Sequence, residues 1–285
     1  MFSHLHAHSI HIKLSPYNLT HHKIFNIIQS SLDLDASFIP TLSISYVMHV
    51  RHIHPDYGCL IFDHLGNIYR SQWTTSKLMR ELFINQYGYD YDLWTKYIQS
   101  AYNKPRTVFP FVNKNHIYLR LKRDNSKHSD WLNLTQLVDC QISTIEDLTS
   151  KTSSQQINLR IAAQVNELNH FQSLTIQFTG NTKRILSQLY YGYQITTDWY
   201  AYLSTRSNSV SLRSFMNNPA FRFIINNGNL KQYRLPHKVD IDLFLKYVKV
   251  TNELRFSKNS SIETIIEKKE LLHYIKENLF KYKSK

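Results

Sequence analysis

Apolar and polar residues alternate with period two through SISYVMHVRHI, residues 43–53, and the turn residues Asp56-Tyr57-Gly58 precede a second strand-like run, CLIFDH. Gly66-Asn67 closes that second run before IYRSQW. Such runs, cut by Gly, Asn and Asp, predict two or three antiparallel strands. From Thr74 the period lengthens: Leu78, Leu82 and Phe83, then Trp94, Tyr97, Ile98 and Tyr102 beyond the break at Gly88, recur at three to four residues. A helical stretch over residues 74–102 follows, capped by Thr74 or Thr75 and ended by Lys104-Pro105.

Past that stop, VFPFV, HIYLRLKR and WLNLTQLV return to strand-like text. In HIYLRLKR one face carries Ile117, Leu119 and Leu121 and the other Tyr118, Arg120 and Lys122, which predicts a half-buried strand with a basic outer face. Residues 143–156 are rich in Ser, Thr and acids without a core pattern, and Ile157–Glu167 reads as a short helix, so the segment near 143–170 is taken as an insertion. SLTIQFT then alternates into Gly180-Asn181, a turn dipeptide leading to KRILSQLYYGYQI, and predicts a further hairpin. After Arg213 the text turns helical. Ile241, Phe244, Leu245 and Val248 keep helical spacing, and Ser260 to Glu263 form a capping box before Ile265, Ile266, Leu272, Ile275 and Leu279. The fold class expected is α+β: a twisted antiparallel sheet core over residues 41–215 with one helical excursion, a helical C-terminal part over 216–285, and a histidine-rich accessory segment over 1–40.

Composition narrows the function. With 6 Gly in 285 residues, neither Gly-x-Gly-x-x-Gly nor a Walker-type Gly-x-x-x-x-Gly-Lys-Ser/Thr occurs, which removes the common nucleotide cradles. The 2 cysteines, Cys59 and Cys140, lie far apart, so a disulfide framework and a cysteine-rich zinc module are both excluded and a reducing, cytoplasmic setting is expected. No apolar run approaches the ~18–20 residues that span a bilayer, and no membrane role is expected. Lys and Arg number 34 against 21 Asp and Glu, a net charge of +13. Such an excess points to a polyanion, with nucleic acid ahead of a membrane surface.

The cations with the most informative placement are Lys104, Arg106, Arg120, Lys122, Arg123, Lys127, Lys183 and Arg184, nearly all of which fall at predicted strand ends and turns. Lysines there suit phosphates as point charges, and arginines suit a narrow groove of strongly negative potential. Tyr118, Trp131 and Phe109-Pro110-Phe111 interleave with these charges, which suggests apolar insertion between base steps. Histidine is conspicuous: His4, His6, His8 and His11, then His21 and His22, then His49, His52, His54 and His64. The simpler reading is a solvated face. The alternative is a metal-dependent enzyme acting on nucleic acid through His49, His52, His54 and His64 with Asp56 or Asp63. Neither His-Glu-x-x-His nor Gly-x-Ser-x-Gly is present, so no catalytic residue, metal or cofactor is assigned.

Four blocks carry a family likeness: IFDHLGNIYRSQ at 61–72, AYNKPRTVFPFVNKNHIYLRL at 101–121, SKHSDWLNL at 126–134 and LTIQFTGNTKRILSQ at 174–188. In order and character they resemble the bacterial competence transcription factor family, the ComK-like proteins. The likeness spans roughly residues 41–215. Residues 86–92 keep the glycine and aromatics of the family's segment but lack its arginine, so no DNA contact is carried over to them. The resemblance implies a non-enzymatic activator of DNA-uptake genes that reads A/T-rich double-stranded DNA largely through the minor groove as a homo-oligomer. It also implies control by adaptor-linked proteolysis.

Overall fold

The computed structural model describes residues 10–14, 21–35, 37, 39, 42–87, 91, 94, 95, 99, 110–112, 116–122, 129–147, 152–163, 171–179, 182, 184–190, 219–227, 266, 269, 270 and 273. In chain order these form β1 (Ile10–Leu14), α1 (His21–Ser30), β2 (Leu32–Asp33), β3 (Ile44–His49), β4 (Cys59–Asp63), β5 (Ile68–Ser71) and α2 (Thr75–Tyr87). Next come β6 (Phe111–Val112), β7 (Ile117–Lys122), β8 (Ser129–Asn133), β9 (Leu137–Asp147), β10 (Thr152–Ala162) and β11 (Phe171–Thr179). Two further helices follow, α3 (184–190) and α4 (Pro219–Asn227). The fold is mixed α+β, built on sheets that are mostly antiparallel.

One sheet has seven strands in the order β2-β5-β4-β3-β8-β7-β6, the other four in the order β1-β11-β10-β9. Each takes one parallel edge strand from the N-terminal segment: β2 beside β5, and β1 beside β11. Residues 10–33, expected to be accessory, are thus woven into both sheets, and Ile24 and Ile28 of α1 join the core at 1% exposure each. The β4–β5 hairpin follows from turn chemistry. Gly66 takes φ 90°, and the Asp63 carboxylate accepts hydrogen bonds from the Asn67 backbone N–H at 2.7 Å and from Asn67 Nδ2 at 2.8 Å.

In the seven-stranded sheet β3, β4 and β8 are buried along their whole length, and β4 accordingly reads as an unbroken apolar run from Cys59 to Phe62. On one face α2 lays down Leu78, Met79, Leu82 and Phe83, all buried, at the helical spacing its sequence shows. The two sheets meet at Phe171, whose N–H donates to the Gly66 carbonyl at 3.0 Å and whose ring meets Phe62 edge-on at 5.7 Å. Two polar side chains inside this core are well bonded. Asp130, fully buried, accepts from Tyr46 Oη and from the His49 N–H, both at 2.8 Å. Asn133 Oδ1 accepts from the Ile117 and Thr135 N–H groups, and its Nδ2 donates to the Ile44 carbonyl at 3.0 Å.

Three local expectations are corrected. Residues 137–147 and 152–162 are a long β-hairpin rather than an unpatterned insertion. Their pairing runs from Thr152 opposite Asp147 to Ile161 opposite Leu137. Gly180-Asn181 does not lead into a strand: 184–190 is helical, with Ile185 and Leu189 one turn apart and both buried. Finally, β7 has no basic outer face at Tyr118, which is as fully buried as Ile117 and Leu119. In the C-terminal part α4 packs on β9 through the buried Ala220 and Ile224 side. Residues 266, 269, 270 and 273 are helical, and the remainder of 216–285, including the segment from Val239 and the capping box at Ser260, lies outside the described residues. Among the described residues no helix is long and apolar enough to cross a membrane.

Candidate nucleic-acid interface

Of the eight cations singled out, Lys104, Arg106, Arg123, Lys127 and Lys183 lie outside the described residues, and Lys122 is placed by its backbone at the end of β7 opposite Ser129. Arg120 sits mid-strand rather than at a turn, half-buried, with Nε donating to Ser129 Oγ at 2.9 Å. Arg184 lies in α3 and is likewise partly buried. The two arginines with described side chains are therefore not projected from hairpin tips.

The interleaved aromatics are committed elsewhere. Phe83 of α2 stacks on Phe111 at 3.9 Å between centroids and meets Tyr118 at 5.7 Å and Trp131 at 5.6 Å. Phe111, Tyr118 and Trp131 are each 2% exposed or less. Each fully buried ring of this size contributes roughly 1.5–3 kcal/mol of burial. Pulling one out to wedge a base step would forfeit that and open a cavity, so these three side chains serve the fold and not insertion. Phe109 lies outside the described residues.

The second histidine group does not converge. His49 is buried and stacks on His52 at 5.7 Å, while His54 lies between Phe25 at 5.5 Å and Tyr57 at 4.9 Å, with Asp56 3.9 Å from its Nδ1. His64 follows the far end of β4, five residues beyond the Cys59 that pairs with His49, or about 16 Å along a strand. Its neighbour is His116, whose pKa is lowered by burial and by His64. The Asp63 carboxylate is taken up by Asn67. Among the described residues no group of three or more His, Cys, Asp or Glu side chains is placed to hold a metal ion. The thiols are equally unsuited to nucleophilic work: burial raises the pKa of Cys59 and, together with Asp139, pushes Cys140 up to about 12.

The four-stranded sheet offers a different kind of surface. Its two faces separate cleanly by register. On one side Cys140, Leu159 and Ile176 form a row, as do Leu137, Ile161 and Leu174, all of them buried. On the other side Asp139 stands opposite Arg160 and Arg160 opposite Thr175, while Gln141, Asn158 and Gln177 form the next row. The β1 register places Lys13 opposite Thr175 at the sheet margin. Asn158 is the hub of this second face: its Oδ1 accepts from Gln177 Nε2 at 2.8 Å and from Gln156 Nε2 at 2.7 Å, and its Nδ2 donates to Ser143 Oγ at 3.3 Å. Gln141 Nε2 donates to Asp139 Oδ2 at 2.9 Å, and Arg160 Nε stands 4.0 Å from the same carboxylate oxygen. Asp139, Gln141, Asn158, Arg160, Thr175 and Gln177 line an open concavity of about 450 Å³.

None of those residues was singled out from the sequence, although the signal was present. Ile157, Leu159 and Ile161 alternate with Asn158 and Arg160, and Leu174, Ile176 and Phe178 alternate with Thr175 and Gln177. Compared with protein-family models, with curated proteins and with solved structures, the chain matches none.

Proposed function

We propose that this chain binds double-stranded DNA in the cytoplasm and acts, without enzymatic chemistry, as a transcriptional activator of the competence type. In this reading it works as a homo-oligomer on A/T-rich sites, contacted largely through the minor groove. The observation that carries the DNA-binding step is the charge balance: a net charge of +13 gives the chain a positive field that draws a polyanion. The order of the four sequence blocks supports the A/T-reading activator within that broader class.

The test is a mobility-shift titration of A/T-rich and G/C-rich duplexes at several salt concentrations, with a chelator present throughout. Expected is metal-independent binding that favours the A/T-rich duplex, with log K falling linearly against log salt by about 0.9 for each phosphate neutralised. Equal affinity for both duplexes removes the A/T reading. Absence of any duplex binding at low salt removes the function.

A further inference from the structure

We propose that the open face of the four-stranded sheet, centred on Gln141, Asn158, Arg160 and Gln177, is the surface that lies against the base edges of bound DNA. The inference rests on the DNA-binding reading above and assigns to it a surface that the basic residues do not define.

The first argument is charge. In a chain of +13, the side chains around the concavity carry one cation and one anion, Arg160 and Asp139, 4.0 Å apart, and the rest are neutral amides and a hydroxyl. A surface that neutralises phosphates needs several cations in excess, and this one has at most Lys13, placed by register at its margin. Primary amides are matched instead to uncharged edges, because each offers two N–H donors and a carbonyl acceptor. The groove floor at A/T pairs presents acceptors, adenine N3 and thymine O2, which amide N–H groups and a guanidinium can meet.

The second argument is order. Asn158 Oδ1 takes one N–H from the buried Gln156 and one from Gln177, so Asn158 and Gln177 are held in place on the open face, with the amide N–H groups of Asn158 and Gln177 turned to the concavity they line. Side chains already fixed lose less entropy on binding than free ones. The third is spacing. Residues two apart on a strand, such as Asn158 and Arg160 or Thr175 and Gln177, repeat at about 6.7 Å. Base pairs rise by about 3.4 Å, so successive side chains on this face fall at every second pair.

The experiment uses the full chain and fluorescence anisotropy of a labelled 20-base-pair A/T-rich duplex at one salt concentration. It compares the wild type with Gln141→Glu and Thr175→Glu on the face and with Gln72→Glu, an exposed residue in the bend after β5, as a control of equal charge. Each face variant is expected to weaken binding by about tenfold or more, because a carboxylate is driven against the groove, while the control loses about twofold from its charge alone. Circular dichroism confirms folding. Thr175 stands opposite Arg160, which can pair with the new carboxylate, so this variant decides the matter if the other melts. Face variants that bind no worse than Gln72→Glu, with the wild type still bound, overturn the assignment and leave the DNA-binding reading standing. A wild type that binds no duplex overturns both.

Discussion

The strands of the seven-stranded sheet and those of the four-stranded sheet treat polar residues in opposite ways. In the first, β3, β4 and β8 are covered on both faces, and a polar side chain there has no water to turn to. Asp130 and Asn133 survive because each is saturated by donors and acceptors from neighbouring strands. In the second, burial alternates residue by residue from Ile157 to Ile161 and from Leu174 to Phe178, and polar side chains bond to one another at the surface. The same residue types are structural cement in one sheet and available chemistry in the other. What separates them is whether the second face is covered.

This contrast can be broken by substitution. The largest effect is expected at Gly58, where three strand ends of the covered sheet knit together. Its N–H donates to the Ser71 carbonyl at 2.8 Å, its own carbonyl accepts from Val50 at 3.1 Å, and a Cβ would stand 2.2 Å from the Trp73 carbonyl oxygen. That neighbour is backbone and cannot rotate away, so Gly58→Ala should cost about 3 kcal/mol or more, seen as a lower urea midpoint at unchanged slope. Next in size is a matched pair of deletions. Asp130→Ala strands the Tyr46 hydroxyl and the His49 N–H in the core and should cost about 2–4 kcal/mol, whereas Asn158→Ala frees the amide of Gln177, which water can satisfy, and that of the more buried Gln156, and should cost about 1 kcal/mol. Equal losses in the two variants would show that the four-stranded face is not open in solution.

The same contrast explains what could be read from the chain. The covered sheet was legible because its text is dense: SISYVMHV, CLIFD and the Gly66-Asn67 turn gave β3, β4 and β5, and Leu78, Leu82 and Phe83 gave α2. Residues 143–156 were obscured because Thr152-Ser153-Ser154-Gln155-Gln156 are polar at both alternating sets of positions, which leaves no period-two signal and resembles a loop. The N-terminal segment was read as an accessory because its strands pair in parallel with partners far along the chain, Ile10 with Phe171 among them, and no local pattern announces such a pairing. For the candidate site, the search for cations found residues such as Arg120 that bond within the fold, while the uncharged face passed unnoticed. Neutral amides have no signature in a charge count.

The smallest effect expected concerns the two N-terminal edge strands, which are fastened differently. β1 lies along five residues of β11, whereas β2 is two residues long and leans on one side chain. Arg70 Nε and Nη2 donate to the two oxygens of Asp33 at 2.7 and 3.0 Å, and Arg70 Nη1 donates to the Ile28 carbonyl at the end of α1 at 3.0 Å. The Arg70 hydrogen bond holds the Asp33 carboxyl below its usual pKa. A depressed carboxylate stabilises the fold fully above its ordinary pKa of about 3.9 and loses that contribution as pH falls through the lower, folded-state value. Asp33 is exposed and Arg70 half-buried at the surface, so the effect is small and screened by salt. Asp33→Asn should therefore lower the urea midpoint slightly at pH 7, and its difference from the wild type should shrink progressively below about pH 4. All other carboxylates titrate alike in the two proteins and cancel. Hydrogen exchange over the same range should loosen Leu32–Asp33 and the last turn of α1 while Ile10–Leu14 stays protected. A midpoint difference that persists unchanged at pH 3 would mean that Asp33 holds the edge through its shape rather than its charge, and that the two edge strands are fastened alike.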